Sequence, residues 1–386
     1  MKYLKYILIV IALLAVAALF IKSQYSINPP KAITSTKYTA GLPLDKLQLP
    51  DGFQIEVYAE GVTNARSMSL SPSGTLYVGT RSKGNVYALQ DTNKDGKIDK
   101  QYTLLTKGNM PNGVAFKDGD LYVAEVNRIL KFEDIESKLD NPGKPIIVND
   151  SYPNESHHGW KYIAFGPDDK LYVPVGAPCN ICDEENEIFN TITRINTDGT
   201  GREIVHDGIR NTVGFTWHPE TKDLWFTDNG RDWLGDEKPE CELNTAKQDG
   251  NHYGYPYCHQ GDILDPEFGE GKNCDDYMKP FAKMGPHTAP LGCEFYTKSN
   301  FPEAYKGQIF VCRHGSWNRK KKIGYDVMMV DVDNNNEPKV FIAGWLDEAA
   351  DDVWGRPVDI ELMSDGSMLI SDDFADVIYR VYYEKG

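Results

Sequence analysis

Six segments of this chain repeat one short pattern, in which a turn rich in Gly, Asp, Ser or Pro leads into an apolar and aromatic strand. The strands begin at Leu76, Leu121, Leu171, Leu224, Ile309 and Met368. Repeats of a turn plus strands, spaced by roughly 40 to 50 residues, are typical of a β-propeller. The sequence therefore predicts an all-β fold, a six-bladed β-propeller with long loops. Such a fold gathers loops from every blade around one channel, where residues distant in sequence meet.

The propeller is expected to occupy residues 41–386 as one large domain, because length is only a soft guide to domain number. The widest interval between repeats lies between Leu224 and Ile309. Within it, residues 228–284 are rich in Gly, Pro, Asp, Tyr and Cys, and they are predicted to form one loop insertion on the channel face. We expect the last strand, which ends near Tyr383, to pair with the first blade and close the ring.

The formal net charge of −16 restricts the possible partners. A nucleic-acid backbone would be repelled, and no basic stripe offsets this charge, so nucleic-acid binding is excluded as a function class. An acidic surface is compatible with solubility outside the cell, with neutral substrates and with bound cations.

Residues 1–23 are predicted to be an apolar helix that acts as a signal peptide or as an N-terminal membrane anchor. Lys2 and Lys5 precede an apolar run from Ile7 to Ile21. The length of this run lies between that of a signal-peptide core and that of a spanning helix, and we favour the uncleaved anchor. Residues 24–40 are then a tether, and the protein is exported to the periplasmic or extracellular face.

The chain has seven cysteines, and export makes disulfides permissible. Cys258 and Cys274 flank a polar loop and are the best candidate pair. Cys179 and Cys182 are three residues apart and form either a tight local disulfide or a metal or redox pair. The odd number leaves at least one free thiol, for which Cys293 or Cys312 is the candidate.

Two loops that precede the third and fourth repeats carry candidate catalytic groups. His158, in His157-His-Gly-Trp160, is the residue type that usually takes a hydroxyl proton near neutral pH. Arg210 and Asn211 offer hydrogen-bond donors for a carboxylate or quinone oxygen. On local pattern alone, a surface histidine and an arginine packed between blades remain open alternatives.

Acidic and cationic clusters suggest a calcium ion and a polyanionic ligand. A Ca²⁺ ion is bound by carboxylate, amide and backbone carbonyl oxygens, and residues 227–237, 242–244 and 252–256 offer all three in a glycine-rich context. The alternative is an acidic loop that is exposed to solvent and binds no ion. Asp91, Asn93 and Asp95 copy the start of a calcium loop, although the twelfth position is Tyr102, so we expect a surface turn that binds Ca²⁺ weakly. The cationic candidates are Arg313, His314, Arg319 and Arg356, with separate structural salt bridges as the alternative.

Several longer motifs occur in a fixed order along the chain. They are His158 before Phe165-Gly-Pro-Asp, then Gly208-Ile-Arg-Asn, Asp228-Asn-Gly-Arg-Asp-Trp-Leu-Gly-Asp, Tyr253-Gly-Tyr-Pro, His287-Thr-Ala-Pro-Leu-Gly and His314-Gly-Ser-Trp-Asn-Arg. From about Leu42 to Tyr383 the chain resembles the glucose/sorbosone dehydrogenase family, which includes soluble aldose sugar dehydrogenases that use pyrroloquinoline quinone. The resemblance implies a six-bladed propeller with the quinone on the channel axis and Ca²⁺ beside it.

The resemblance also implies roles for individual residues. His158 matches the catalytic base, and Arg210 and Asn211 match residues that hold the quinone. Gly230 and Arg231 fall where backbone carbonyls bind the calcium of the cofactor, while Glu242 and Tyr253 fall near further calcium ligands. The remaining cofactor-side candidates that it implies are Asn112, Arg313, His314, Arg319 and Arg356.

Two positions depart from the family pattern. Ala177 stands where well-studied glucose oxidisers have an aspartate that orients the base, so another group must fix the imidazole tautomer. Cys241 stands at an acidic position of those enzymes, which affects the second calcium site.

The expected function is hydride transfer from a sugar or alcohol hydroxyl to calcium-bound pyrroloquinoline quinone, followed by electron transfer to an external quinone, cytochrome or dye. Two alternatives remain at this stage, because a fold does not fix a function. One is a calcium-dependent lactonase or other hydrolase, and the other is a non-catalytic exported carbohydrate-binding module.

Overall fold

The computed structural model describes residues 2–24, 31–35, 41–333 and 336–384. The described residues form a six-bladed β-propeller in which every blade is a four-stranded antiparallel sheet. One helix, α1 (Lys2–Gln24), precedes the propeller. The predicted fold class is therefore confirmed.

The strands are numbered in chain order, starting with β1 (Phe53–Glu60). Blade one is β2 (Ala65–Leu70), β3 (Leu76–Thr80), β4 (Val86–Gln90) and β5 (Lys100–Leu105). Blade two is β6 (Gly113–Lys117), β7 (Asp120–Ala124), β8 (Ile129–Phe132) and β9 (Ile146–Asn149). Blade three is β10 (Ala164–Phe165), β11 (Leu171–Val175), β12 (Thr191–Ile195) and β13 (Glu203–His206). Blade four is β14 (Phe215–Trp217), β15 (Leu224–Asp228), β16 (Glu240–Ala246) and β19 (Ala282–Pro286), and it encloses the hairpin β17 (Cys258–His259) and β18 (Ile263–Leu264).

The last two blades complete the ring. Blade five is β20 (Pro290–Phe295), β21 (Ile309–Arg313), β22 (Asp326–Val330) and β23 (Pro338–Ile342), followed by the hairpin β24 (Leu346–Asp347) and β25 (Asp352–Val353). Blade six is β26 (Pro357–Leu362), β27 (Met368–Asp372), β28 (Val377–Tyr383) and β1. Short 3₁₀ turns lie at Leu44–Lys46, Ile135–Ser137, Cys274–Asp276 and Glu303–Tyr305.

Each of the six sequence repeats forms the second strand of one blade. Successive side chains of a strand point to opposite faces of its sheet. In β3, Leu76 and Val78 pack in the hydrophobic cluster shared with blade six, whereas Tyr77 packs in the cluster shared with blade two. In β11, Leu171 and Tyr172 divide in the same way between the neighbouring blades. A strand that is buried on both faces must be apolar throughout, which explains the uninterrupted Leu-Tyr-Val pattern.

The ring closes as expected, because β28 pairs antiparallel with β1 from the start of the domain. The register runs from Phe53 opposite Tyr383 to Glu60 opposite Val377. Phe53 also contacts the rings of Phe301 and Phe341 edge-on, at centroid distances of 4.8 and 5.0 Å. The first strand thus completes the last blade and covers part of its core.

The segment 228–284, predicted as a single loop insertion, is divided differently in the structure. Glu240–Ala246 and Ala282–Pro286 are the third and fourth strands of blade four. The insertion itself lies between them and contains the β17–β18 hairpin. The strand β16 was not expected, because Glu240-Cys-Glu-Leu-Asn lacks a regular alternation of polar and apolar residues, yet most of its side chains are buried.

Helix α1 has exposed apolar side chains, such as those of Ile7, Leu13 and Leu19. Within the described part of the chain, no helix combines the length and apolarity that crossing a membrane requires. The tether predicted at 24–40 falls partly outside the described residues, and its segment 31–35 contacts the propeller, as described below.

Both proposed cysteine pairs are disulfides, Cys258–Cys274 and Cys179–Cys182. Cys241, Cys293 and Cys312 are free and buried. The second pair is therefore a local bridge rather than a metal site. Buried thiols in an apolar environment have raised pKa values and are poor nucleophiles, and burial raises the pKa of Cys293 well above its ordinary value.

Candidate active site

The main cavity opens at the face of the propeller where the first strands of the blades begin and the second strands end. It has a volume of about 660 Å³, which lies within the range of roughly 300–1,000 Å³ that is usual for ligand pockets. Asn211 precedes β14, Asn229 follows β15 and His314 follows β21, and all three line the cavity. Antiparallel neighbours begin and end at the same edge of a sheet, so these loops converge.

His158 lies in the wall of this cavity, on the loop before β10. Its backbone φ is 49°, a left-handed value that costs free energy for a residue other than glycine and is often found at functional sites. Gly176 permits the close approach, because a Cβ atom there would lie 2.7 Å from the Cβ of His158. Burial first, then the charge of Arg210 and the neighbouring His157, hold the pKa of His158 well below its ordinary value. The imidazole is therefore neutral at pH 7.

The backbone of Ala177 fixes the tautomer of this imidazole. The Nδ1 atom of His158 lies 2.8 Å from the carbonyl oxygen of Ala177. A carbonyl oxygen only accepts hydrogen bonds, so Nδ1 carries the proton and Nε2 keeps its lone pair. The aspartate that the family pattern places at this position is thus replaced in its orienting role by a main-chain group.

Arg210 lines the same cavity and is almost fully buried. Its Nε donates to the carbonyl oxygen of Asn180 at 2.8 Å, its Nη2 donates to Oδ1 of Asn180 at 2.9 Å, and its Nη1 donates to the carbonyl oxygen of Asn229 at 3.0 Å. The carboxylate of Asp232 lies 3.5 Å from Nη2. These contacts orient the planar guanidinium group on one side of the cavity.

Two guanidinium groups and an imidazole surround the carboxylate of Asp373. Arg66 Nη1 lies 3.1 Å from Oδ2 of Asp373, while Arg356 Nη2 and His314 Nε2 lie 2.8 and 3.0 Å from Oδ1. The side chain of Asp373 is buried, and although burial alone would raise its pKa, His314 and Arg356 together with Arg66 hold that pKa well below its ordinary value. One carboxylate here faces two guanidinium groups, so this side of the cavity is electropositive.

Arg81 adds a further guanidinium group to the cavity. It lies over the ring of Trp160, 4.0 Å from the ring centroid, and has no carboxylate partner among the described residues. Burial first, and then the neighbouring charge of Arg66, lower the pKa of Arg81 to about 10, so it remains charged at pH 7. The indole Nε1 of Trp160 is buried and meets no acceptor in the described part of the chain. Both groups suit a bound acceptor with negative charge.

Two buried carboxylates lie behind the cavity, across the β15–β16 pair. Asp228 and Glu242 are direct cross-strand partners. Asp228 accepts hydrogen bonds from the backbone N–H groups of Arg210 and Asn211, and Glu242 accepts from the N–H of Gln260 at 2.7 Å. Burial raises the pKa of Asp228 to about 6, and burial with the nearby Asp228 raises that of Glu242 to about 8. A divalent cation between them would offset this cost of burial.

The structure brings together only some of the residues that the sequence nominated. His158, Arg210, Asn211, Gly230, His314 and Arg356 line the main cavity. Glu242, Tyr253 and Gly230 line a small adjoining cavity that also includes Asp228. The hydroxyl of Tyr253 donates to the carbonyl oxygen of Thr245 at 3.0 Å.

Four other nominated residues, Asn112, Arg313, Arg319 and Arg231, line neither the main cavity nor the small adjoining one. Asn112 is fully buried beneath it and accepts from Nε of Arg66 at 2.9 Å. Arg313 pairs with Asp326 and lines a separate cavity of about 400 Å³. Arg319 pairs with Glu237 near the surface, and Arg231 pairs with Asp265 in the interior. Asn112, Arg313 and Arg319 were expected on the cofactor side. Burial places Asn112 outside the cavity lining, and ion pairs hold Arg313 and Arg319 away from it.

The loop with Asp91, Asn93 and Asp95 lies between β4 and β5, away from both cavities. Asp91 accepts from the N–H of Gly96 at 2.9 Å, and the side-chain amide of Asn93 donates to Asp95 at 3.0 Å. These bonds make a surface turn, as expected. Among the described residues, no group of three carboxylate, histidine or cysteine ligands converges on it.

Sequence reasoning missed Arg66, Arg81, Asp373, Asp232 and Asn180. A signal existed for Arg66, which is the second residue of β2, while Arg356 immediately precedes β26. Both arginines thus lie at the start of the first strand of a blade. Asn180 lies in a loop whose course depends on contacts between blades. Asp232 belongs to the acidic motif that begins at Asp228, but nothing local distinguishes it from the other carboxylates there.

Residues 31–35 lie at the mouth of the main cavity, where Lys31, Ala32 and Ile33 contribute to its lining. The N–H of Lys31 donates to the carbonyl oxygen of Trp317 at 2.7 Å. The N–H of Ser35 donates to the carboxylate of Asp352 at 2.7 Å, and the ammonium group of Lys31 pairs with Asp351. Part of the predicted tether is therefore attached to the rim of the cavity.

Residues 41–381 match the family described as a domain of unknown function, DUF7133. The chain belongs to the DUF7133 family. The match covers nearly the whole propeller, from before β1 to within β28. A relative from Borreliella burgdorferi strain B31, described as an uncharacterized protein, is 32% identical to this DUF7133 chain over 359 residues, which are 88% of this chain and 91% of the relative.

Solved structures with the same fold include several sugar dehydrogenases. The calcium structure of a Trichoderma reesei enzyme of carbohydrate-active family AA12 has a TM-score of 0.77 at 18% identity and covers 92% of this chain and 99% of that one. The holo pyranose dehydrogenase PQQ domain of Coprinopsis cinerea has a TM-score of 0.73 at 16% identity, with coverage of 92% and 100%. The soluble aldose sugar dehydrogenase of Escherichia coli, in its apo form, has a TM-score of 0.65 at 16% identity, with coverage of 86% and 100%. This agrees with the resemblance seen in the sequence and, at these identities, establishes the shared fold.

Proposed function

We propose that this protein is a quinoprotein dehydrogenase that oxidises a hydroxyl group of a sugar or another alcohol. Pyrroloquinoline quinone would occupy the 660 Å³ cavity, and an external electron acceptor would reoxidise it. One observation carries the proposal, namely that a neutral imidazole and four arginine side chains converge on one cavity of an acidic protein. The solved sugar dehydrogenases of the same fold support it.

The donor set of the cavity fits an anionic quinone. Pyrroloquinoline quinone carries three carboxylic acids, which planar guanidinium groups bind well. Arg81 has no anionic partner among the described residues, and the indole N–H of Trp160 is buried without an acceptor. Arg66 and Arg356 share a single carboxylate. We therefore assign the carboxylate contacts to Arg66, Arg81 and Arg356.

The oxygen ligands near the cavity form a less complete site for a calcium ion than the arginine side chains form for the quinone. Gly230 lies between the main cavity and the small cavity of Asp228 and Glu242, so these three residues are the ones that would hold Ca²⁺. The backbone carbonyl of Arg231 remains a predicted ligand. Tyr253 also remains a predicted ligand, although its hydroxyl donates to the carbonyl oxygen of Thr245.

His158 acts as the general base in this proposal. Its Nε2 atom takes the proton of the substrate hydroxyl, while Nδ1–H stays bonded to Ala177. The lowered pKa keeps the acceptor nitrogen unprotonated over the neutral range. When bound, the quinone accepts the hydride, and Ca²⁺ polarises its carbonyl as a Lewis acid. Arg210 stabilises the negative charge that develops on the ligand on its side of the cavity.

The proposed location is an oxidising compartment outside the cytoplasm. The two disulfides are consistent with that, because cytosolic proteins rarely keep them. No observation favours a hydrolase or a non-catalytic binding module over the dehydrogenase.

The experiment is a titration of the purified protein with pyrroloquinoline quinone, with and without CaCl₂, followed by absorbance. The loaded protein is then screened with aldoses and simple alcohols and an artificial dye. We expect saturable binding and dye reduction that depend on both additions. Lactone hydrolysis without any bound chromophore would contradict the proposal and support the hydrolase alternative.

A further inference from the structure

A small disulfide loop at the rim of the main cavity holds one of the proposed cofactor residues. It consists of Cys179, Asn180, Ile181 and Cys182, follows β11, and is closed by the Cys179–Cys182 bridge. All four residues are partly exposed. The motifs that suggested the function do not include this loop.

Asn180 makes more hydrogen bonds to Arg210 than any other described residue does. Its carbonyl oxygen accepts from Nε of Arg210 at 2.8 Å and its Oδ1 accepts from Nη2 at 2.9 Å. The same Oδ1 accepts from the N–H of Asp232 at 2.9 Å. Asn180 thus orients the guanidinium group directly, and it also fixes the residue whose carboxylate lies beside that group.

The position of Asn180 depends on the two cysteines on either side of it. Besides the bond from Arg210 to the carbonyl oxygen of Asn180, the main chain of the loop is held by Cys182, whose N–H donates to the hydroxyl of Tyr255 at 3.0 Å. That hydroxyl also lies 3.5 Å from Sγ of Cys179. A partly exposed loop with so few packed side chains has low local stability, so closing it covalently restricts its conformations strongly.

We propose that Asn180 is a positioning residue for Arg210 and that the Cys179–Cys182 disulfide keeps it in place, so that quinone binding depends on the redox state of this bridge. The inference rests on the proposed function, because it assigns Arg210 to the quinone. Reduction by an external dithiol breaks the S–S bond, leaves two thiols, and converts the dithiol into its own disulfide. The loop then opens, and Arg210 loses its two bonds to Asn180.

The first test compares quinone affinity in the presence of CaCl₂, with pyrroloquinoline quinone as the probe. We expect Asn180→Ala and the double variant Cys179→Ser/Cys182→Ser to bind it about tenfold more weakly, which corresponds to about 1.4 kcal/mol. Wild type that has been reduced with dithiothreitol, alkylated with iodoacetamide and freed of both reagents before the titration should bind the quinone more weakly by a similar factor, because dithiothreitol left in solution would itself reduce the quinone. The double variant treated in the same way should bind as it does untreated. Asn180→Asp keeps the Oδ1 acceptor that bonds Nη2 of Arg210 and the N–H of Asp232, and it should stay within about threefold of the wild type, as should the control Glu184→Ala on the same surface.

The second test needs no quinone. Phenylglyoxal modifies accessible arginines, and mass spectrometry locates the modified residue. In the oxidised wild type, Arg210 should react slowly, because its side chain is only 5% exposed and donates three hydrogen bonds. Its reaction should become several times faster in Asn180→Ala and after reduction, while Arg313, which is paired with Asp326 in blade five, serves as the internal reference.

The two tests separate the two hypotheses. A wild type that binds no quinone would remove the proposed function, while the rate of Arg210 modification would still decide the role of Asn180. Unchanged Arg210 reactivity in Asn180→Ala and in reduced protein would overturn this inference. So would a double variant that remains sensitive to dithiothreitol, because the effect would then come from the other disulfide.

Discussion

The imidazole of His158 and the backbone of Ala177 form a hydrogen bond of 2.8 Å between Nδ1 and the carbonyl oxygen. The N–H of the same Ala177 donates to the carbonyl oxygen of Arg210, also at 2.8 Å. One buried alanine therefore joins the proposed base to the proposed anion-binding arginine. Because both contacts are made by the main chain, the arrangement does not require an acidic side chain at position 177.

His158→Ala should abolish most turnover without preventing cofactor binding. Loss of a general base typically costs about 10²–10⁴-fold in rate. The matched control is His157→Ala, since His157 is the exposed neighbour and should be dispensable. Dye-linked kinetics and a quinone titration of both variants decide the matter. Equal losses in the two variants would show that the loop, not the imidazole, matters.

The pH profile of the wild type should reflect the lowered pKa of His158. A base works only when unprotonated, so a lowered pKa extends activity toward acid. We expect kcat/KM to stay level as the pH falls through 6.5 and to decline only below that value. A profile that halves at or above pH 6.5 would contradict the assignment of His158 as a neutral buried base.

Arg81→Ala should weaken quinone binding by at least about tenfold, because a charged hydrogen bond contributes roughly 1.5–3 kcal/mol. Arg319→Ala is the control, since Arg319 pairs with Glu237 outside the cavity. Isothermal titration at two salt concentrations measures both effects. The opposite pattern, in which Arg319 matters and Arg81 does not, would support the prediction made for Arg319 from the sequence.

Glu242→Gln should abolish stabilisation by calcium. An ion that binds only the folded state adds about 2.7 kcal/mol when present at a hundred times its dissociation constant. We expect the wild-type Tm to rise with CaCl₂ and fall with a chelator, and the Tm of Glu242→Gln to respond to neither. Asp95→Asn tests the surface turn, and the Tm of this variant should respond to CaCl₂ and to the chelator as the wild-type Tm does. A calcium response that disappears in Asp95→Asn instead would place the ion in that turn.

Asp359→Asn should flatten the dependence of stability on pH. Asp359 is 2% exposed, its Oδ1 has no partner among the described groups, and burial raises its pKa to about 7. Between about pH 4 and pH 7, the carboxyl group of Asp359 is therefore protonated in the folded state and ionised in the unfolded state. The free energy of unfolding is highest at low pH, falls as the pH rises through this range, and has lost the full contribution above about pH 7.

Urea unfolding at pH 5 and pH 9 measures this effect. The wild type should lose more stability between the two values than Asp359→Asn does, by on the order of 3 kcal/mol. Asp118→Asn is the control, because the side chain of Asp118 is 87% exposed and its substitution should leave the pH dependence unchanged. Identical pH dependence in all three proteins would disprove the assignment of a buried protonated carboxyl at position 359.

The arrangement of the blades was predictable because the pattern that encodes it is local. A second strand buried on both faces must read as an apolar run, as Leu171-Tyr-Val does, and the turn before it must contain residues that permit reversal. The strand β16 was missed because buried polar residues such as Glu242 and Asn244 interrupt that pattern. Their burial depends on partners from other parts of the chain.

The sequence by itself determined the six-bladed ring and the loops that carry His158 and Arg210, and it indicated the Cys258–Cys274 pair. The structure decided that Cys179 and Cys182 form a disulfide rather than a metal or redox pair, and that β1 closes the ring. Tertiary structure alone decided which cationic side chains reach the cavity. Arg313 and Arg319 are diverted by the carboxylates of Asp326 and Glu237, whereas Arg81 meets no such partner and faces the cavity. The physical reason is that the direction of a long charged side chain depends on the nearest opposite charge, which a folded loop supplies from a distant part of the chain.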